Sequence, residues 1–95
     1  MKYALSSQCS KQIRKIKSRD EAVYKKIKSK LMLFAENPNH QSLRLHKLSG
    51  LQADSWSISI DMSLRMLFYY RKNSAQADQK QIVFYAVGTH KEVYK

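Results

Sequence analysis

The chain is poor in the residues that punctuate, cross-link or acidify a protein. It has two glycines and one proline in 95 residues. That leaves no glycine-rich loop to cradle a phosphate and no flexible linker to divide the chain. A single cysteine, Cys9, rules out an internal disulfide and fits a reducing compartment. No apolar stretch approaches the roughly 20 residues that cross a bilayer. The first residues, MKYALSSQCSK, lack the apolar run of a signal peptide, so the expected location is the cytoplasm, with no membrane partner. Cys9, His40, His46 and His90 show no close-spaced ligand pair, so neither metal nor other cofactor is expected. No Ser-His-Asp arrangement is legible either. Acidic side chains are scarce: seven Asp and Glu face 18 Lys and Arg, for a net charge of +11. That charge attracts polyanions, whether nucleic acid, an anionic surface or an acidic protein, and does not choose among them.

The remaining composition, 43% hydrophobic and 11% aromatic, describes a globular chain, expected to form one domain over residues 1–95. A chain this short buries a modest core, so its stability margin is thin. The basic residues concentrate towards the N-terminus. Residues 1–36 carry ten Lys and Arg against three Asp and Glu, whereas residues 37–95 carry eight against four.

Apolar periodicity predicts an order of elements. Residues 2–5 are a short strand candidate. Cys9, Ile13 and Ile16 form one helical stripe behind a cap at Ser6 or Ser7, and Asp20 is positioned to cap a second helix. Val23, Ile27, Leu31 and Phe34 continue at helical spacing until Asn37-Pro38. The lysines between them read as a solvated face. RLHKL, residues 44–48 with Leu43 before it, alternates like a short strand that ends at Gly50, and residues 51–55 read as a polar turn.

The stretch WSISIDMSLRMLFYY, residues 56–70, reads as a β-hairpin turning at Asp61-Met62-Ser63, with Trp56, Ile58 and Ile60 on the buried face and Ser57 and Ser59 on the other. KNSAQADQ, residues 72–79, reads as a flexible loop; IVFYAV, residues 82–87, as a buried strand closed by Gly88; and the remainder as a short tail. The expected fold is α+β, with an N-terminal helical hairpin packed on one face of a small antiparallel sheet of three to four strands, the other face open.

Polar residues with usable chemistry gather in the strand half: Arg44, His46, Lys47, Asp61, Arg65, His90 and Tyr94. Such a set suits RNA cleavage without a metal. Histidine, as a residue type, exchanges protons near neutral pH. Arginine grips a phosphate through its planar donor fork, and an aromatic ring stacks on a splayed base. The same residues also have structural uses. Arg65 is either an ion-pair partner of Asp61 or a group aimed at a phosphate, and Tyr94 could simply dock the tail.

The order of helix, helix, His46-Lys47-Leu48-x-Gly50, Trp56-Ser57-Ile58, Arg65 in its apolar strand, and Gly88-Thr89-His90 followed by Val93-Tyr94 resembles the RelE-like toxins of type II toxin–antitoxin systems (the RelE/ParE superfamily), and the YafQ-like branch above all. The resemblance implies a metal-independent endoribonuclease that cuts mRNA on the ribosome, and an acidic antitoxin, partly disordered when free, as partner. It assigns proton transfer to His46, the scissile phosphate to Arg65, acid or base work to His90 and base orientation to Tyr94. Asp61 lies near an acidic or histidine position of the family. Relatives often carry a basic residue just before the Gly-Thr-His element, where this chain has Ala86 and Val87. Arg44 or Lys47 could supply that cation. A ParE-like gyrase inhibitor, or a member that only binds its antitoxin or nucleic acid, are the competing expectations.

Overall fold

In the computed structural model, residues 2–49, 54–73 and 76–93 are described, without the side chains of residues 72, 73 and 76–79. The elements run β1 (Tyr3–Leu5), α1 (Ser7–Arg19), α2 (Glu21–Glu36), a 3-10 turn (Gln41–Leu43), β2 (His46–Lys47), β3 (Ser55–Ser59), β4 (Leu64–Asn73), β5 (Gln76–Thr89) and α3 (His90–Val93).

The helical hairpin forms because polar side chains satisfy its exposed backbone ends. Ser6 Oγ accepts from the Cys9 amide at 3.0 Å at the start of α1. Asp20 serves both helices. Its backbone N–H donates to Ile16 O at 2.7 Å, closing α1, and its carboxylate accepts from the Val23 amide at 3.2 Å, opening α2. With one residue as the link, the two helices must fold back on each other. The stripe of Cys9 and Ile13 on α1 and Ile27, Leu31 and Phe34 on α2 is buried. Burial pushes the Cys9 thiol up to about 11, so this cysteine is a core residue rather than a nucleophile.

The helices cover one face of a five-stranded sheet in the order β1-β5-β4-β3-β2. β1 pairs with β5 in parallel, and the other neighbours are antiparallel. The α+β architecture is thus as expected, while the sheet is larger and mixed. Ile58, Ile60, Met66, Phe68, Ile82 and Phe84 join the helical stripes in one core. Phe34, Phe68 and Phe84 meet edge-on with centroids 5.2–5.4 Å apart, tying α2, β4 and β5 together.

Four local expectations need correction. Within the expected loop of residues 72–79, residues 72–73 and 76–79 are strand: β4 runs to Asn73 and β5 starts at Gln76, so the hairpin continues as a two-stranded ribbon, and residues 74–75 lie outside the described residues. The strand expected over residues 44–48 shrinks to His46–Lys47, because Leu43 ends a 3-10 turn and is buried, and Arg44 takes a left-handed conformation, φ 48° and ψ 45°. Gly88 does not end β5 but lies within it, and the expected tail opens as the α3 turn. Residues 51–53 of the expected turn, and Gly50, lie outside the described residues.

The face away from the helices is not bare either. Ser57 and Leu67 are fully buried on it, and Ser59 is 9% exposed. A β-bulge explains part of this. Phe84 pairs with Phe68 and Ala86 with Leu67, which leaves Tyr85 as the extra residue. The bulge brings Tyr85 to the outer face, where its hydroxyl lies 2.8 Å from Ser55 Oγ and its ring 5.7 Å from that of Tyr69. At the far end α3 crosses the same face. A Cβ built on Gly88 would sit 3.1 Å from Glu92 Cβ and 3.3 Å from Val93 Cγ1, so this position is small because the α3 turn passes over it.

Candidate active site

Sheet register sorts the polar residues by face. Paired residues of an antiparallel sheet point the same way. Arg65 pairs with Ser59 on one side and Gly88 on the other, and His46 pairs with Ser57. Arg65 and His46 therefore share the face opposite the helices, because their neighbours Met66 and Ile58 lie in the core beneath. Strand spacings place their Cα atoms about 12 Å apart, with β3 between them. On the other flank His90 follows Gly88, the β5 partner of Arg65, by two residues and opens α3. Arg65 and His46 thus share one face, and the α3 turn that begins at His90 passes over Gly88 beside them.

Arg65 is partly buried, and its Nη1 donates to Ser59 Oγ at 3.2 Å. It forms no ion pair among the described residues. Asp61, its suggested partner, is occupied elsewhere. The Asp61 carboxylate accepts from the Ser63 amide at 2.9 Å, the Ser63 hydroxyl at 3.1 Å and the Leu64 amide at 2.8 Å, which holds the β3–β4 turn, and it pairs with Lys26 on α2 at 3.7 Å. Burial works against its charge, but the Ser63 and Leu64 donors and the Lys26 ammonium outweigh that and hold its carboxyl below the ordinary 3.8. The sign follows from the lowered value. Asp61 stabilises the fold above pH 3.8, and that contribution is lost as pH falls through the lower folded-state value. The difference in urea midpoint between wild type and Asp61→Asn is expected to be largest at neutral pH and to close in acid.

His46 is exposed, with Nδ1 2.8 Å from the carbonyl oxygen of Arg44. A carbonyl only accepts, so Nδ1 carries the hydrogen. In the neutral ring Nε2 then keeps the lone pair, the state a general base needs. The left-handed backbone of Arg44 aims that carbonyl back at the ring two residues on.

Of the two suggested substitutes for a missing cation, the structure brings one to this neighbourhood. Lys47 pairs with core-facing Trp56 and so points to the opposite face from His46. Arg44 instead lines a cleft of about 270 Å³ together with Arg65, Asp61, Ser59 and Lys30. Lys30 belongs to the run of α2 lysines that periodicity assigns to a solvated face. Only the hairpin's docking angle brings it here, so no sequence signal marks it. Ala86 lies opposite Leu67 and Val87 is buried, so neither position offers a cation. Tyr94 lies outside the described residues. Among the described residues, no three His, Cys, Asp or Glu side chains gather to hold a metal ion.

A two-helix hairpin on a five-stranded mixed sheet is the α+β fold found in solved YoeB/ParE and YafQ toxins. The YoeB/ParE toxin from Agrobacterium tumefaciens superposes with a TM-score of 0.73 at 16% identity, over 95% of this chain and 99% of that one. YafQ from E. coli strain BL21(DE3) gives 0.71 at 18% identity over 99% and 98%. The YoeB–YefM complex from Staphylococcus aureus gives 0.67 at 16% over 95% and 97%. At these identities the likeness establishes the fold. No protein-family model and no curated protein sequence matches the chain.

Proposed function

We propose that this protein is the toxin of a type II toxin–antitoxin system and acts in the cytoplasm as a ribosome-dependent mRNA endonuclease. The observation that carries the reading is the outward Arg65, without an anionic partner among the described residues, on the same face as His46 and next to the strand end from which His90 follows. Arg65 stabilises the charge that builds on the scissile phosphate. His46 Nε2 takes the proton of the 2′-hydroxyl, whose oxygen attacks the adjacent phosphorus. The bond to the 5′-oxygen breaks, and His90 protonates that leaving oxygen. The products are a 2′,3′-cyclic phosphate and a free 5′-hydroxyl. Tyr94 keeps the base-orienting role the resemblance gives it. Arg44 supplies positive charge beside Arg65 in place of the absent strand cation. Asp61 acts by holding the β3–β4 turn rather than by touching substrate.

The partner is an acidic antitoxin, which suits a chain of charge +11. The E. coli DinJ–YafQ and S. aureus YoeB–YefM structures are of toxin and antitoxin together.

Added to translating ribosomes, the purified protein is expected to cut mRNA. His46→Ala and His90→Ala are each expected to slow the cut roughly 10²–10⁴-fold, as loss of a general acid or base does. Undiminished toxicity in both variants overturns the site. DNA damage on expression with messages intact replaces this reading with gyrase inhibition.

A further inference from the structure

The cleft beside Arg65 gathers three cations, Lys30, Arg44 and Arg65. These three cations arise on α2, the loop after the 3-10 turn and β4. The one carboxylate in the cleft, Asp61, is already bound to Lys26 and three donors of its own turn. None of the three cations has an ion-pair partner among the described residues. Like charges converging this way repel one another unless an anion joins them.

Lys30 is also held in place rather than left to wander in solvent. Its Nζ donates to Ser42 Oγ at 3.0 Å. The Ser42 amide donates to His40 Nδ1 at 3.2 Å, which fixes that nitrogen as an acceptor. The Ser42 hydroxyl lies 2.9 Å from the same nitrogen and donates to it, so its oxygen is turned towards the lysine. The relay from His40 through Ser42 orients an ammonium in the cleft that the hydrogen-bonded Arg65 and Ser59 also line.

We infer that this cleft is a second phosphate site, binding the RNA phosphodiester next to the one that is cut, with Lys30 as its principal ligand. The inference rests on the nuclease reading for the identity of the anion. Two features favour a nucleic-acid strand over an acidic peptide. The cleft shares Arg65 with the reaction centre, and the carbonyl of Arg44, whose side chain lines the cleft, holds the His46 ring. A strand whose cut phosphate sits on Arg65 would thus place its neighbouring phosphate here.

The test is binding of a short fluorescein-labelled oligouridylate across a salt series, with KM and kcat on ribosomes measured in parallel. Lys30→Gln is expected to reduce the slope of log affinity against log salt by about 0.7, the share of one phosphate contact on a single strand. It should weaken binding roughly two- to tenfold whatever the sequence, raising KM and sparing kcat. Lys30→Arg restores the slope, and Ser42→Ala, which frees the ammonium but keeps its charge, raises KM alone. Lys11→Gln removes the same charge from the exposed side of α1 and should not change the slope by as much.

Equal slopes for wild type and Lys30→Gln overturn the inference even if the protein cuts mRNA. A Lys30-dependent slope in a protein that cuts no message supports the phosphate site and removes the nuclease reading instead. If Lys30→Gln weakens binding of a polyglutamate peptide but not of the oligouridylate, the cleft docks acidic protein and the inference is wrong.

Discussion

Arg65→Ala should slow mRNA cleavage by roughly 10²–10³-fold and leave the fold intact. The expectation follows from how little of the guanidinium the fold uses. One nitrogen donates to Ser59 Oγ, no carboxylate among the described residues pairs with it, and Arg44 and Lys30 lie in the same cleft. Removing a cation from among cations relieves repulsion, so the melting temperature should hold or rise slightly. Arg65→Lys keeps the charge but loses the fork that grips two phosphate oxygens, and it should recover only part of the rate. Thermal melts and single-turnover cleavage on ribosomes, run on the same preparations, separate the two effects. A variant that cuts at the wild-type rate, or one that no longer folds, contradicts the assignment.

Phe68→Ala should have the opposite profile, a loss of fold from which loss of activity follows. Phe68 is fully buried, with the rings of Phe34 and Phe84 edge-on at 5.4 and 5.2 Å and that of Trp56 stacked at 6.3 Å. Emptying such a site costs about 3–5 kcal/mol. Small domains hold about 5–15 kcal/mol in all. At roughly 4–8 °C per kcal/mol, the midpoint should drop by at least about 12 °C. Phe68→Leu, which fills most of the space, should fall much less. Calorimetry measures both, and a Phe68→Ala midpoint within a few degrees of wild type would show that the three-ring contact is not the centre of the core.

The helical half of the fold was legible because its burial is periodic. Ser6, Asp20 and the stripe from Val23 to Phe34 each have one physical reason to be where they are, and each sits there in the structure. The strands were legible where one face is buried, as at Ile58 and Ile60, and illegible where neither is. Residues 72–79 carry no apolar side chain larger than alanine, so nothing in KNSAQADQ marks out the strand ends at Asn73 and Gln76 from a loop. The error at residues 43–45 has another cause. Leu43 and Leu45 flank Arg44 as in a strand, yet a left-handed arginine produces the same spacing of apolar residues by a tight turn. No pattern reveals that β1 will lie beside β5, about 80 residues away, because pairing of distant strands is a tertiary choice.

The placement of the candidate site residues was legible in proportion to how odd each one looked. Arg65 stands out as a cation inside an apolar run, and it does face outward. Asp61 looked like its partner from four residues away, but the amides of its own turn and Lys26 of α2 hold it first. Lys47 and His46 are adjacent in sequence and therefore opposed in space, since alternate residues of a strand face opposite sides. Lys30 is invisible from sequence among Lys25, Lys26 and Lys28, and only the packing of α2 against the loop around Ser42 distinguishes it.

The most direct test of a cut that begins at the ribose is to remove the attacking atom. A message carrying a single 2′-deoxynucleotide immediately 5′ of the cleaved bond should survive on ribosomes with this protein, while the all-ribose message is cut to a 2′,3′-cyclic phosphate end. Cleavage of the deoxy-substituted message at the same bond would contradict the account.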